Sequence, residues 1–201
     1  MLTVGITGGT GSGKTTILEE LRKEFGENDI GFISQDSYYN DNGNLSFDEK
    51  NKINFDHPDA VDFELMIDHL NLLKSGKNIN QPIYSFKHHN RTEKTKLVKP
   101  KKIMIIEGIL ILNNIKLRDL IDYKVFVDAN ENLRFKRRLD RDINQRGRIA
   151  EEVIELFNNR LNKMHKAHVE PMKEFCDIII DNNKVDLLEI NSLIKVIKSH
   201  L

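Results

Sequence analysis

The sequence predicts an α/β protein in which helices cover both faces of a parallel sheet. A glycine-rich stretch, Gly8 to Thr15, follows an apolar run and precedes a helical pattern. Further apolar, β-rich runs then alternate with amphipathic stretches, as they do in doubly wound domains. With 201 residues, 39% of them hydrophobic, the chain can bury a sizeable core. We therefore expect a single domain over residues 1–201.

The glycine-rich stretch has the spacing G-x-x-x-x-G-K-[ST] of a phosphate-binding loop. Glycines allow backbone N–H groups to surround an anion with no Cβ in between. Lys14 would reach the β- and γ-phosphates of a nucleotide, and the Thr15 hydroxyl would bind Mg²⁺. The alternative is a plain turn with Ser12 or Thr16 as a helix cap, but the strand before the loop and the helix after it favour phosphate binding. We expect a P-loop NTPase fold in which nucleotide is bound by Gly8, Gly9, Thr10, Gly11, Ser12, Gly13, Lys14, Thr15 and Thr16.

The first half of the chain begins with an apolar run typical of a buried central strand. Apolar residues recur at helical spacing from Ile17 to Phe25, and Gly26 is a helix stop. Asp62 is a good N-cap for a helix that Gly76 would end. The predicted elements are strands at 2–7 and 30–34, helices at 16–25 and 63–74, a polar loop at 40–58, and a hairpin or insertion on the sheet edge at 79–100.

The second half continues the alternation of strands and helices. Apolar runs predict strands at 102–106, 123–127 and 178–180. Helical periodicity predicts helices at 130–143 and 149–168, interrupted around Gly147, and a closing helix from Leu187. In the 130–143 helix, Phe135, Leu139 and Ile143 lie one turn apart, and arginines follow a neighbouring face.

The composition and the absence of targeting patterns argue against several classes of protein. Basic and acidic residues number 31 each, so no global charge favours nucleic acid or an anionic membrane as a partner. Cys176 is the only cysteine, which excludes an intrachain disulfide and favours a reducing, cytoplasmic location; beside an apolar run, it is expected to be buried filler. The N-terminus lacks a signal-peptide pattern, and Glu107 and Gly108 interrupt the longest apolar run, so we expect no membrane span.

Two acidic residues follow predicted strands at the edge where open parallel sheets bind ligands. Asp36 comes after the 30–34 strand, and we expect it to orient an attacking hydroxyl and to accept its proton late. Glu107 takes the place of a Walker-B acid, acting on Mg²⁺ directly or through water. The alternatives are a turn or helix cap for Asp36 and a solvated turn residue for Glu107. The expected magnesium site consists of Thr15, Glu107 and Asp36.

A cluster of arginines indicates a cationic clamp for phosphates. Arginine matches phosphate oxygens bidentately, and arginines on both sides of Gly147, at a helix break, favour a mobile lid over about 137–160. The alternative is a charged outer helix face, with Asp140 and Asp142 as ordinary surface partners. The clustered residues are Arg137, Arg138, Arg141, Arg146 and Arg148, of which Arg141 is the catalytic candidate.

Aromatic residues in loops and edge segments suggest an acceptor pocket for a flat substrate with polar edges. Aromatic residues at such places are more often core than pocket, so this pattern alone is a weak signal. The candidate lining consists of Tyr39, Phe55, Tyr84 and Phe86, accompanied by Asp56, His89 and Arg91.

The order of these motifs resembles the uridine kinase family (uridine-cytidine kinases), within the wider group that includes phosphoribulokinase and pantothenate kinase. The phosphate loop alone is common to many folds, whereas the aspartate-tyrosine, N-F-D-H-P-D and arginine-lid elements together are specific. The stretches that carry the resemblance are Gly8 to Thr15, Gln35 to Tyr39, Asn54 to Ala60, Pro82 to Tyr84 with Phe86, His89 and Arg91, Ile106 to Leu110, and Arg137 to Arg148.

The resemblance implies Mg²⁺-dependent transfer of phosphate from ATP (or GTP) to the 5′-hydroxyl of uridine or cytidine. It implies that Asp36 is the base, that Asp56 with Arg138 holds the ribose 2′- and 3′-hydroxyls, and that the arginines near Gly147 form the lid. The family is often homotetrameric and inhibited by pyrimidine triphosphates, which we carry as expectations. The base pocket implied by the resemblance consists of Tyr39, Phe55, Tyr84, Phe86 and His89, and the lid of Arg141, Arg146 and Arg148.

The sequence also departs from the family pattern. Ser85 stands in place of an aspartate, Leu156 in place of a glutamine that reaches the substrate, and Lys163 in place of a proline. Near the nucleotide base, the segment from Asp181 to Asn183 replaces proline-arginine-glycine. A divergent kinase for another small alcohol is therefore the close alternative.

Two non-enzymatic alternatives have less support. A GTPase-type switch would carry N-K-x-D and D-x-x-G motifs, but the segment from Asn51 to Asn54 ends in asparagine and no D-x-x-G follows the strand before Glu107. A non-catalytic binding module does not account for the joint presence of Lys14, Thr15, Asp36 and Glu107.

Overall fold

The computed structural model describes residues 1–145, 147–183 and 187–200. In chain order its strands and helices are β1 (Leu2–Thr7), α1 (Lys14–Asp29), β2 (Ile30–Ser34), α2 (Phe47–Asn51), α3 (Phe63–Lys74), β3 (Ile79–Ser85), β4 (Asn90–Val98), β5 (Ile103–Glu107), α4 (Ile115–Asp119), β6 (Tyr123–Asp128), α5 (Glu131–Asn144), α6 (Ala150–Leu156), α7 (Asn162–Met164), β7 (Ile178–Asp181) and α8 (Leu187–Lys198). Further 3₁₀ segments cover Gln35–Tyr38, Pro58–Ala60 and Glu170–Phe175, and π-helical segments cover Phe157–Leu161 and His165–Val169.

The central sheet is parallel throughout and has the strand order β2-β5-β1-β6-β7. β1 lies in the middle, with Leu2 opposite Ile103 of β5 and Val4 opposite Tyr123 of β6. Because the strands are parallel, their carboxyl ends share one edge, which is where such sheets bind ligands. This edge carries the phosphate loop, Asp36 and Glu107.

Each face of the sheet has its own apolar core, as the predicted fold class requires. On one face, α1 and α8 pack against the sheet, with Leu21 and Leu193 fully buried. On the other, α3 and the 3₁₀ turn after β2 bury Leu70 and Tyr38. The described helices are all too short or too polar to cross a bilayer.

The hairpin predicted at 79–100 forms, but it does not extend the central sheet among the described residues. β3 and β4 pair antiparallel as a separate two-stranded sheet, with a register shift between Pro82 and Tyr84. The shift at Pro82 agrees with the confinement of proline to sheet edges and bulges. The hairpin is instead held by contacts with the turn after β2. In one of these contacts, Gln81 donates to the Ser37 hydroxyl at 2.7 Å.

Side-chain caps mark the N-termini of two helices, one predicted from the sequence and one not. Asp62 caps α3 as predicted, accepting from the Leu65 amide at 3.0 Å. Within the segment predicted as loop, Ser46 and Glu49 form a capping box that starts α2. The S-x-x-E spacing was the signal for this helix. Gly26 has non-helical dihedrals of φ 67° and ψ 175°, so it interrupts the helix where a stop is predicted, and a short helical stretch follows up to Asp29.

The inner face of α5 is charged. Arg134, Arg138 and Asp142 are buried, whereas Ile143, placed in an apolar row by the sequence, is 38% exposed. The buried face of this helix is thus the one that carries Arg134, Arg138 and Asp142. The physical reason is that α5 lies against the phosphate loop, where backbone carbonyls and hydroxyls accept hydrogen bonds from arginine.

Candidate active site

The phosphate loop joins β1 to α1 and depends on glycine for its shape. Gly8 and Gly11 have φ values of 143° and 75°, in the region that favours glycine. A Cβ on Gly8 would lie 2.3 Å from the Val127 carbonyl oxygen, and one on Gly11 would lie 2.4 Å from the Arg134 carbonyl oxygen. No side chain fits at either position, so the loop is packed against β6 and α5 by its own backbone.

The first turn of α1 begins inside the loop. Gly13 precedes the helix without a side-chain cap, so the alternative of Ser12 or Thr16 as a capping residue has no support. Thr15 and Thr16 are exposed at this N-terminus, where helix N–H groups attract anions.

Lys14 lies folded back over the loop. Its Nζ donates to the carbonyl oxygens of Gly8 at 2.8 Å and Gly9 at 3.2 Å. Burial lowers the pKa of the Lys14 ammonium to about 8, although the negative charges of Glu107 and Asp36 act to raise it. The ammonium can exchange these two neutral carbonyl acceptors for phosphate oxygens, which carry negative charge.

Asp36 and Glu107 lie at the ends of neighbouring strands and share one hydroxyl. Ser34 donates its hydroxyl hydrogen to Glu107 Oε1, and the Ser34 oxygen accepts from the Asp36 amide at 3.3 Å. Burial raises the pKa of Glu107, with the charge of Asp36 adding to the rise, while Ser34 and Lys14 oppose it. The two carboxyl groups therefore form an electronegative patch beside Lys14.

The oxygen donors at this patch fit a magnesium site completed by nucleotide. Among the described residues, no group of three or more His, Cys, Asp and Glu side chains could hold a metal ion by itself. Mg²⁺ is usually held by one or two carboxylates together with substrate phosphates and water. The Thr15 hydroxyl with the Asp36 and Glu107 carboxylates is a donor set of that kind.

Asp142 organises the arginines of α5. It is fully buried, and its carboxylate accepts from Arg138 Nε at 2.9 Å and from Arg141 Nε at 3.2 Å. A terminal nitrogen of Arg148 lies 3.7 Å from the same carboxylate. The interpretation of Asp142 as an ordinary surface partner was therefore wrong, whereas Asp140 is exposed as expected.

The same arginines reach the phosphate loop. Terminal nitrogens of Arg138 and Arg141 lie 2.8 Å and 3.5 Å from the Thr10 hydroxyl oxygen, and Arg137 donates to the Ser12 carbonyl at 3.2 Å. Arg137 also donates to the Asn182 carbonyl at 3.2 Å, which joins the loop to the end of β7. Arg146, predicted to belong to the lid, lies outside the described residues.

Two residues beside the loop were not selected as site residues from the sequence. Arg134 is buried and donates from Nε to the Ala129 carbonyl at 3.1 Å. The imidazole of His165 packs against Gly9 and bonds through Nε2 to Glu170 at 2.9 Å. The i, i+4 row from Arg134 through Arg138 to Asp142 was a signal for the first; we find none for the second.

The predicted acceptor pocket gathers aromatic rings from separate segments. The Tyr39 ring centroid lies 5.2 Å from that of Phe55 and 5.2 Å from that of Tyr84. His89 stacks on Phe55 with centroids 5.2 Å apart and an interplanar angle of 18°, and Phe86 lies 5.5 Å from Tyr84. A cavity of about 280 Å³ opens beside these rings, lined by Ser34, Asp36, Ser37, Gln81, Pro82, Ile83, Tyr84, Phe86 and Lys96.

Asp56 lies on the side of the pocket that faces the arginines. Burial raises the pKa of Asp56, while the positive charges of Arg138, Arg160 and Arg148 oppose the rise. Arg138 has the strongest effect among these charges, although its guanidinium bonds to Asp142, and the predicted joint role of Asp56 and Arg138 on the ribose hydroxyls stays a prediction. Arg160 was not predicted from the sequence.

Arg91 contacts the turn that follows β2. Its Nε donates to the Tyr39 carbonyl at 2.9 Å, and a terminal nitrogen donates to Asp62 Oδ2 at 3.0 Å. These contacts tie β4 to the 3₁₀ turn and position Tyr39. The predicted role of Arg91 in substrate binding stays a prediction beside this positioning role.

The fold and this site define a kinase with a P-loop: a nucleotide-binding loop, a carboxylate pair and arginines face an aromatic pocket across the carboxyl edge of one sheet. The chain belongs to the Phosphoribulokinase / Uridine kinase family, whose model matches residues 3–189. The resemblance found in the sequence is thereby confirmed.

Curated relatives agree over almost the whole chain. A uridine kinase of Clostridium perfringens is 46% identical over 198 residues, covering 98% of this chain and 95% of the relative. A uridine kinase of Clostridium novyi is 43% identical over 198 residues, with the same coverage.

Solved structures of lower identity share the fold. The phosphoribulokinase of Rhodobacter spheroides superposes with a TM-score of 0.65 at 15% identity, covering 91% of this chain and 72% of that one. The D-glycerate 3-kinase of Cryptococcus neoformans superposes with a TM-score of 0.60 at 20% identity, covering 84% of this chain and 78% of that one. These neighbours support the predicted parallel sheet with helices on both faces.

Proposed function

We propose that this kinase transfers the γ-phosphoryl group of ATP, with Mg²⁺, to the 5′-hydroxyl of uridine and cytidine. The observation that carries the proposal is the position of Asp36. Its charge acts on Lys14 of the phosphate loop, and it lines the same cavity as Tyr84 and Phe86 of the aromatic pocket. The description of relatives at 46% identity as uridine kinases supports this choice of acceptor.

On the donor side, the loop and the arginines neutralise phosphate charge. Lys14 would exchange the Gly8 and Gly9 carbonyls for β- and γ-phosphate oxygens, and Arg141 would leave Thr10 to face the transferred group. Mg²⁺, when bound, supplies further neutralisation between the phosphates. Phosphoryl transfer depends mainly on this positioning and electrostatic stabilisation, so no covalent intermediate on the protein is needed.

On the acceptor side, Asp36 would orient the 5′-hydroxyl and accept its proton late in the transfer. An ionised Asp56 accepts hydrogen bonds from both ribose hydroxyls, since a carboxylate has two oxygens and no donor. A deoxyribose lacks one of these donors and leaves part of Asp56 unsatisfied in a buried site. Arg138 stabilises the ionised form of Asp56.

His89 would face the pyrimidine edge that differs between the two nucleosides. Burial lowers the pKa of His89, with the positive charges of Arg148 and Lys50 adding to the effect. A neutral imidazole has one donor and one acceptor nitrogen and meets the carbonyl of uracil or the amine of cytosine by changing tautomer. We therefore expect both nucleosides to be accepted, and near-complete preference for one would contradict this part of the proposal.

The remaining attributes are part of the same proposal. The proposed phosphoryl donor is ATP, with GTP as the alternative, because Asn182, near the expected nucleotide base, departs from the family pattern. A homotetramer and a cytoplasmic location are proposed from the family resemblance. A second acceptor class, another small alcohol, is favoured only by the departures at Ser85 and Leu156.

The test is ATP consumption with Mg²⁺ across uridine, cytidine, deoxycytidine, pantothenate and ribulose 5-phosphate. We expect turnover with uridine and cytidine, and a loss of about 10²- to 10⁴-fold in Asp36→Asn, the range for a lost general base. Asp41→Asn, an exposed acid a few residues on, is the control and should turn over normally. Turnover only with pantothenate or ribulose 5-phosphate would replace the nucleoside by another alcohol.

A further inference from the structure

Arg160 lies on a helical segment that packs against the loop bearing Asp56. It belongs to the π-helical segment Phe157–Leu161, and π-turns recur at functional sites. The two segments touch on both sides of Asp56: Asn54 Nδ2 lies 3.0 Å from the Met164 sulfur, and the His57 and His168 rings are 4.7 Å apart. On the helical side, both contacts lie C-terminal to Arg160, so the helical stretch that begins with the Arg160 segment runs along the loop that bears Asp56.

The Arg160 guanidinium is not fully satisfied by the protein. Among the described residues, its buried Nε has no hydrogen-bond partner. Buried donors in native proteins are nearly always paired, so an unpaired one calls for an explanation. Its charge nevertheless acts on Asp56, second only to Arg138 among positive charges. An unpaired donor thus lies beside a buried acceptor carboxylate.

We propose that Arg160 binds the nucleoside directly. Its Nε–H donates a hydrogen bond to the oxygen of a sugar hydroxyl, and the same hydroxyl donates a hydrogen bond to Asp56. This inference rests on the proposed nucleoside kinase function. A hydroxyl has one donor hydrogen and two acceptor lone pairs, whereas Asp56 only accepts and Arg160 only donates. Together the two side chains bond to one hydroxyl both as donor and as acceptor, whereas each alone can do only one of these.

The neighbouring sequence supports the view that Arg160 compensates for the loss of a substrate-binding glutamine. Leu156, about one helical turn before Arg160, stands where the family resemblance leads us to expect a substrate-reaching glutamine. Leucine offers no hydrogen bond, whereas Arg160, about one turn further along the helix, carries an unpaired donor that could reach the sugar. Acceptor recognition would then be retained through a different residue.

The experiment compares Arg160→Met with Lys163→Met, which removes an exposed cation from the same helical region. We expect the KM for uridine to rise about 10- to 100-fold in Arg160→Met, the effect of losing a charged hydrogen bond. The kcat and the affinity for ATP should change little, and Lys163→Met should match the unmodified protein. An unchanged KM in Arg160→Met would overturn the inference.

Deoxynucleosides identify the contact itself. Calorimetric affinities of uridine, 2′-deoxyuridine and 3′-deoxyuridine are measured for the unmodified protein and for Arg160→Met. The substitution should weaken uridine strongly and should have much less effect on the analogue that lacks the contacted hydroxyl. Equal losses of affinity for all three ligands would contradict the proposed hydrogen bond. Full affinity for uridine in Arg160→Lys, which keeps the charge but lacks Nε, would contradict it as well.

Two controls separate the possible failures. If thermal unfolding shows that Arg160→Met is not folded, Arg160→Gln, which keeps a neutral donor, is measured in the same way. If the unmodified protein binds and phosphorylates no nucleoside, the proposed function fails and this inference with it. If it phosphorylates uridine normally and the Arg160 variants do too, only this inference fails.

Discussion

The donor and acceptor regions of the site are built in different ways. The donor region is one continuous loop, Gly8 to Thr15, fixed by a single helix whose arginines bond to Asp142 and Thr10. The acceptor region is assembled from four separate segments: the turn after β2, the loop around Asp56, the β3–β4 hairpin and the helix after Gly147. Its rings meet only through tertiary contacts.

This difference separates stability from specificity. Donor-region charges are bonded to one another inside the protein, so a change there affects folding as well as phosphate binding. Acceptor-region side chains lie at the ends of independent segments, so a change there alters the substrate with a smaller effect on the fold. Ser85 and Leu156 depart from the family pattern in segments assigned to the acceptor region, whereas the departure at Asp181 to Asn183 lies beside the phosphate loop, where Asn182 donates to the Ser12 carbonyl.

The largest effect is expected for Asp142→Asn, which breaks the donor region. Asp142 is fully buried among arginines, and removing one partner of a buried ion pair destabilises by about 3–5 kcal/mol. Urea denaturation should show a loss of that size, whereas Asp140→Asn, an exposed control on the same helix, should change the free energy of unfolding by less than about 0.5 kcal/mol. Equal losses in the free energy of unfolding for the two variants would contradict the view that buried charges of the donor region stabilise the fold.

The next largest effect is expected for Asp56→Asn in the acceptor region. The amide no longer accepts from both sugar hydroxyls, so kcat/KM for uridine should fall about 100-fold, within the range for a hydrogen bond to a charged group. The value for 2′-deoxyuridine should fall less, which narrows the discrimination between the two sugars. Asp59→Asn, whose side chain is 90% exposed, is the control. A parallel fall for both nucleosides would argue against contact with the hydroxyl pair.

The pH dependence of acceptor binding should reflect the same residue. Burial raises the pKa of Asp56 above its ordinary value of 3.8. As the pH falls through that raised pKa, Asp56 gains a proton and accepts fewer hydrogen bonds, so the KM for uridine should increase. The acid limb of kcat/KM should therefore lie above pH 3.8 and should be altered in Asp56→Asn. An acid limb that is identical in the variant would assign the titration to another group.

A smaller effect is expected for Arg91→Met, which tests whether Arg91 positions the turn or contacts the substrate. If Arg91 only positions Tyr39 and the turn, kcat/KM for uridine should fall about tenfold, with a loss of about 1 kcal/mol in the free energy of unfolding. The ratio of uridine to 2′-deoxyuridine activity should stay unchanged. Lys94→Met, an exposed cation on the same strand, is the control. A change in that ratio would indicate that Arg91 contacts the substrate.

The smallest effect is a proton taken up with the nucleotide. Burial lowers the pKa of Lys14 to about 8, so near pH 8 part of the protein carries a neutral lysine. Bound phosphates favour the charged form, and ATP binding near pH 8 should therefore take up a fraction of a proton. Calorimetry in buffers of different ionisation enthalpy measures this uptake, and Lys14→Met should lose it. Uptake that persists in the variant would locate the proton elsewhere.

The sequence predicted the donor region because its residues are consecutive and their spacing is set by local backbone geometry. It also predicted that Asp36 and Glu107 would meet, since parallel strands end at a common edge. Their catalytic and metal-binding roles stay predictions. Short helices such as α4 were missed because a few residues carry little periodicity.

The remaining site residues could not be predicted because their environment depends on distant segments. The burial of Asp142 follows from the packing of α5 on the phosphate loop, although its sequence neighbours resemble a solvated helix. Arg160 and His165 approach the site only because the helix after Gly147 crosses it. The contacts of Arg91 with the Tyr39 carbonyl and Asp62 could not be predicted either, because they join β4 to segments 52 and 29 residues earlier in the chain.

The central place of β1 affects how the protein is made. β1 leaves the ribosome early, yet its sheet neighbours are β5 and β6, with Leu2 opposite Ile103. At roughly 5–20 residues per second, the nascent chain needs on the order of ten seconds to supply them. Gly8 can adopt its final contact with Val127 only after β6 has been synthesised. The nucleotide site is therefore absent from a nascent chain that already contains its whole motif.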